Sequence, residues 1–145
     1  MPTTSEFMTD DHRACDELWA DVETSADAGD LLATRTRFAA FERAMQRHFE
    51  FEEQTLFVAL DNATGMHGGG PTMVMRSEHE QMRQVLRTMA AELAGGDTQS
   101  VLDHGDTLLM LIQQHNMKEE HILYPMADAR LGGDWPGLQT QWPRA

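Results

Sequence analysis

Apolar side chains recur along this chain in alternating steps of three and four, and the period-two alternation of a half-buried strand is nearly absent. That phasing predicts an all-α protein of four long helices. The first spans about residues 5–28, or starts as late as residue 10, and stops at Gly29; its inward stripe is His12, Cys15, Trp19 and Val22. The second spans about 31–60 behind the N-cap Asp30, with the stripe Phe38, Phe41, Met45, His48, Glu52, Leu56 and Ala59. A glycine-rich loop follows over 61–70. The third helix starts at Pro71 and ends near Ala94, with the stripe Met75, His79, Met82, Leu86, Met89 and Leu93. The fourth covers about 98–130, with the stripe His104, Leu108, Leu111, His115, Glu119, Ile122 and Met126, and Pro125 should kink it or end it early. Short connections make neighbours antiparallel, so residues 1–131 should form an up-down-up-down four-helix bundle. Residues 132–145 form a tail whose Trp135 and Trp142 fold back on it.

Histidines and glutamates interrupt these stripes where apolar residues belong. A charged group is placed there only if it is paired or binds metal. The interruptions are patterned. His48-Phe-Glu-Phe-Glu52-Glu53-Gln-Thr-Leu56-Phe57 returns 67 residues later as His115-Asn-Met-Lys-Glu119-Glu120-His-Ile-Leu123-Tyr124. The shared pattern is His-x-x-x-Glu-Glu-x-x-Leu-aromatic, and a histidine and glutamate four apart share a helix face.

The antiparallel arrangement also sets depth. His48 and Glu52 lie 12 and 8 residues before Leu60, and His79 lies 8 after Pro71. At about 1.5 Å per residue they fall near one level. His12, His115 and Glu119 reach the same level, so six imidazole and carboxylate groups from four helices converge. That ligand set suits iron, manganese or zinc. A structural zinc needs four ligands; six favour two cations, His12 and His48 on one, His79 and His115 on the other, Glu52 and Glu119 bridging. His104 is too far along the fourth helix to join them. Glu53 and Glu120 flank the stripe, either orienting the histidines or lying exposed. Arg83 would face a bound anion or pair with a carboxylate. Cys15, Phe49, Met82, Leu111 and Ile122 would line a small-ligand pocket.

Composition excludes several classes. The formal net charge of −13 opposes binding to nucleic acid or to an anionic membrane surface. No run approaches the length of a bilayer span. One cysteine and no recognisable targeting segment point to a cytoplasmic protein. The eleven methionines are gap-filling core residues rather than a copper site.

With its early His12, both His-x-x-x-Glu-Glu motifs, Glu78-His79 on the third helix and the closing Leu-Tyr-Pro, the chain resembles the hemerythrin-like family, the HHE cation-binding domain. The resemblance implies a four-helix bundle with a non-haem diiron centre, ligated by His12, His48, Glu52, His79, His115 and Glu119. It also implies a role in holding or sensing oxygen, or in responding to nitric oxide or peroxide. There is one departure. Oxygen-carrying members have a second histidine four residues from the first on the third helix, where this chain has Met75 and Arg83. That leaves a position for solvent, a small ligand or another protein group, and His67 is the most reachable substitute. Those members also place the last carboxylate at the position of Glu120, whereas Glu119 keeps the stripe and repeats Glu52. The ferritin-like alternative needs Glu-x-x-His, which does not occur here.

Three functions remain open on sequence grounds. The first is a diiron module binding oxygen or nitric oxide for sensing, buffering or storage, with its protein partner unknown. The second is a diiron oxidoreductase acting on peroxide or nitric oxide, or an iron donor. The third is a structural zinc clamp.

Overall fold

A computed structural model describes residues 2–143. The Thr3 hydroxyl caps α1 (Thr4–Asp27) by accepting from the Glu6 amide. Asp30 caps α2 (Leu31–Phe51) in the same way, accepting from the Ala33 amide. α2 does not stop there. It passes through a π-helical turn, Glu52–Leu56, into α3 (Phe57–Thr64). Gly65, at φ 73°, ends this second rod in a left-handed cap. The rod therefore runs beyond the expected end at Leu60, and the loop is shorter than the sequence implied. α4 (Pro71–Ala94) starts at its proline as expected. Behind the Asp97 cap, α5 (Thr98–Lys118) passes through a second π-helical turn, Glu119–Leu123, into α6 (Tyr124–Leu131). The short α7 (Trp135–Gln139) follows.

Pro125 neither ends nor breaks the fourth rod; it sits in the first turn of α6. The proline does not cause the π turn either. The second rod makes the same turn at the same place in the repeat, with Val58 in the equivalent position. In both rods the amide after the turn donates five residues back, Phe57 to Glu52 and Tyr124 to Glu119. One extra residue in a turn advances the inward face by one position. Beyond Glu119 the buried residues are Leu123, Tyr124, Ala127 and Leu131 rather than the expected Ile122 and Met126. Beyond Glu52, Phe57 and Leu60 are buried while Ala59 is only half-buried.

Cross-rod partners run in reverse order along each neighbouring pair. α1 meets the second rod through Asp11–His48, Trp19–Phe41 and Ser25–Thr34. The second rod meets α4 through Gln46–Arg83, Glu53–His79 and Asp61–Thr72. α4 meets the fourth rod through Glu78–His115 and Glu92–His104. The fourth rod closes on α1 through Ser5–Asp128 and His12–Glu119. No strand occurs among the described residues.

Two apolar clusters fill the interior. One is built around Trp19, Phe41, Leu86, Met89 and Leu108. The other is built around Met8, Phe57, Leu60, Tyr124 and Leu131. A layer of buried histidine and glutamate lies where they meet. The tail closes the second cluster: Trp135 is buried, donates its Nε1–H to the Pro2 carbonyl, and meets Phe7 and Phe51 edge-on. Trp142 stands over the same two rings. Residues 144 and 145 of the tail lie outside the described residues.

Candidate metal centre

The π turns matter because they carry Glu52 and Glu119, both fully buried, into the space between the rods. His12 from α1, His48 from α2, His79 from α4 and His115 from α5 point into the same space and are buried. Glu52 Oε1 lies 3.3 Å from His48 Nε2 and 3.0 Å from His79 Nε2. Glu119 Oε1 lies 3.0 Å from His12 Nε2 and 3.2 Å from His115 Nε2. Each carboxylate thus touches one histidine from each half of the layer. The donor atoms fall into two overlapping groups, Glu52, His79, His115 and Glu119 in one and His12, His48 and Glu119 in the other.

Four outer carboxylates fix the rings. Glu120 Oε2 lies 2.7 Å from His12 Nδ1, and Asp11 Oδ2 lies 2.7 Å from His48 Nδ1. Glu53 Oε2 lies 2.7 Å from His79 Nδ1, and Glu78 Oε1 lies 2.9 Å from His115 Nδ1. Each reaches from one rod to the next, and the fourth returns to the first. A carboxylate can only accept, so every Nδ1 carries a hydrogen and donates it. In the neutral imidazole every Nε2 is then a bare lone pair. The centre presents four such lone pairs and two carboxylates to one another in a dry interior. His79 Nε2 and His115 Nε2 stand 3.2 Å apart. Glu52 Oε1 and Glu119 Oε2 have no hydrogen-bond partner.

This arrangement is repulsive unless positive charge lies within it. Protons can supply some. Burial acts to lower the His115 pKa, but the charge of Glu119, its hydrogen bond and the charge of Glu52 outweigh it and lift the pKa to about 9. His48 is raised in the same way, with Glu52 and the Asp11 contact outweighing burial. A divalent cation fits better. Metal–nitrogen and metal–oxygen bonds of roughly 2.1 Å put adjacent ligands about 3.0–3.3 Å apart, the spacing found here.

A family model, the hemerythrin HHE cation binding domain, matches residues 3–127. The chain belongs to the hemerythrin family. No curated protein and no solved structure matches it. The match covers α1 through most of α6, and with them all six inward donors and all four outer carboxylates.

The structure brings His12, His48, Glu52, His79, His115 and Glu119 together, as the stripes required. Glu53 and Glu120 are the ring-orienting carboxylates rather than idle surface groups. Arg83 pairs with both oxygens of Glu53, at 2.8 and 2.9 Å, so its charge is committed there and not offered to a bound anion. Burial acts to raise the Glu53 pKa, but hydrogen bonds from His79 and Arg83 outweigh it and hold the carboxyl at about 2. Phe49 stacks on His79 with ring centroids 4.3 Å apart, and Met82 is buried beside it in the first cluster. Cys15 is buried too, and burial pushes its pKa up to about 12, so the thiol stays neutral.

Three candidate positions stand apart from the centre. Ile122 is 59% exposed, because the π turn rotates it outward. Leu111 is half-buried and packs on the first apolar cluster rather than on the centre. His67 is exposed in a loop that starts 13 residues past Glu52, roughly 20 Å along a helix axis. His104 is exposed and paired with Glu92.

Asp11 escaped notice in the sequence, and Glu78 was quoted only as part of a motif with no role, although a signal existed: each immediately precedes a buried histidine. Tyr124 was likewise quoted in its motif without a role. It is fully buried, with its hydroxyl 2.7 Å from Glu52 Oε2 and 2.9 Å from Glu119 Oε1. A groove of about 440 Å³, lined by Thr9, His12, Asp16, Asn116, Glu120 and His121, leads from the surface to His12.

Proposed function

We propose that the protein holds two non-haem iron ions in this layer and binds a small ligand, oxygen or nitric oxide, for sensing, buffering or storage. The observation behind this reading is the set of four Nε2 lone pairs converging on two buried carboxylates. Six inward donors exceed the four that a structural zinc takes. Nitrogen and oxygen ligands in this mixture suit iron.

His12 and His48 would hold one ion and His79 and His115 the other, with Glu52 and Glu119 placed to serve both. The ring carboxylates keep each Nδ1 protonated and each ring aimed inward. The apolar clusters on either side exclude bulk water. The groove at His12 gives a diatomic molecule a path from the surface. Ferrous iron, when bound, supplies an exchangeable position and electrons to such a ligand.

Metal analysis of anaerobically purified protein should find two irons per chain. Air admitted to the ferrous protein should produce a visible absorption band that fades when oxygen is removed. Zinc alone in protein from its native source would sink the reading. Catalytic loss of peroxide or nitric oxide would replace binding by turnover.

A further inference from the structure

Tyr124 is a fully buried polar side chain of the layer that does not belong to the histidine and glutamate donor set. Its hydroxyl lies 2.7 Å from Glu52 Oε2, 2.9 Å from Glu119 Oε1, 3.1 Å from His12 Nε2 and 3.3 Å from His48 Nε2. Four acceptors surround one oxygen that owns one hydrogen. A phenol can donate to a single one of them. While the imidazoles are neutral, the other three then point lone pairs at the lone pairs of the phenolic oxygen, in a buried site. One hydrogen bond does not relieve that crowding; a cation among the five atoms relieves all of it. The separations are again those between neighbouring ligands of one metal ion.

The repeat makes the placement more telling. Glu119 and Tyr124 are five apart across a π turn, and so are Glu52 and Phe57. The equivalent ring in the other half is a phenyl, stacked on His79 at a centroid distance of 5.6 Å. The hydroxyl is present only where it faces His12 and His48.

We infer that Tyr124 is itself a ligand: its oxygen binds, as phenolate, the cation that His12 and His48 face. On loading, the phenol O–H bond breaks, the proton leaves to solvent, and the freed lone pair bonds to the metal, with no change of oxidation state. The inference rests on the iron reading above. It makes the two ions chemically different, one with a phenolate and one without.

The chain has one tyrosine, so any tyrosinate signal is Tyr124. The experiment loads the full chain with ferrous iron under nitrogen, counts the iron, oxidises it to the ferric state and records visible and resonance Raman spectra. The expected result is a tyrosinate-to-ferric charge-transfer band with enhanced tyrosine ring modes. Those modes should shift when the unaltered sequence is produced with ring-deuterated tyrosine. Tyr124→Phe, which copies the Phe57 arrangement, should abolish band and modes while the His79–His115 half keeps its iron. Iron without tyrosinate modes in the unaltered protein, or an unchanged band in Tyr124→Phe, overturns this inference alone. No iron uptake at all overturns the parent reading with it.

Discussion

The second and fourth rods are two versions of one design, and their differences are more informative than their likeness. Each carries His-x-x-x-Glu-Glu, each opens into a π turn at the first glutamate, and each sends the second glutamate outward to grip a histidine on the next rod. The likeness explains why the centre is nearly symmetric. Three of their differences bear on the layer and its packing. Phe57 stands where the fourth rod has Tyr124, Arg83 clamps Glu53 while no arginine among the described residues clamps Glu120, and Phe38 in the second rod is answered by Gly105 in the fourth. The first difference concerns the ions, the second the aim of a ring, the third the packing of α1.

The symmetric part makes the largest prediction. Glu52 and Glu119 each contact a histidine from both halves, so under the proposed two-ion reading neither would belong to one ion. Glu52→Ala and Glu119→Ala should each reduce two bound metals to one or none, read by metal analysis after gel filtration. Two metals retained by either variant would break the bridging scheme and make the halves independent.

Protons and cations compete for the same lone pairs, which gives a second prediction. In the metal-free protein the His115 pKa is raised from 6.5 to about 9. A raised folded-state pKa stabilises fully below the unfolded value and is lost as pH rises through the folded one. Metal-free protein should therefore lose stability between about pH 6.5 and 9, by up to a few kcal/mol. Over the same range metal affinity should rise, because fewer protons must leave. Thermal unfolding of metal-free and iron-loaded samples should diverge across this window. Parallel curves would mean that protonated His115 is not what holds the metal-free layer together.

Most of this was legible in the sequence for one physical reason. Each inward donor is a polar side chain on an apolar stripe, and burial makes such an exception hard to explain without a cation. Reading failed where helical phase failed. A period of 3.6 carried past Glu119 puts Ile122 inside and Tyr124 to the side; the π turn reverses this. Nothing in a hydrophobic stripe signals one extra residue in a turn. The repeated aromatic after Leu56 and Leu123 was visible, but its direction was not. The roles of Asp11 and Glu78 were missed because they sit off the stripe, although their adjacency to His12 and His79 mirrors the Glu-Glu pairs. His104 failed for a different reason, since it lies in regular helix before the π turn: the buried residue there is Gly105, which carries no hydrophobic signal.

The outer carboxylates test whether the rods are aimed equally well. Glu53 is held by Arg83 as well as by His79. Glu78 is held by His115 and by Lys118, which is about half-exposed and free to turn to solvent. Loss of such a partner typically lowers metal affinity about 10- to 100-fold. Glu53→Gln should fall in that range, because it also takes from Arg83 its bidentate carboxylate partner beside His79. Glu78→Gln should have the smaller effect. Competition titration with a chelator measures both, and equal losses would show that Arg83 adds nothing.

The last difference lies away from the ions. In the second rod Phe38 fills its own space in the first apolar cluster. In the fourth rod Gly105 leaves that space to Trp19, which packs on Phe41 from α1 at a ring distance of 5.3 Å. A Cβ on residue 105 would stand 2.2 Å from Trp19 Cζ2 and 2.5 Å from Cη2. The indole is rigid and buried, so it has no cheap way to yield. Overpacking of this kind typically costs about 1–3 kcal/mol. Gly105→Ala should lower the thermal midpoint by that equivalent while leaving metal stoichiometry at its unaltered value. Adding Trp19→Phe, which shortens the ring, should recover part of the loss, because the two residues share one space and their effects are not additive. Loss of metal in Gly105→Ala would instead mean that α1 moves as a body and carries His12 with it.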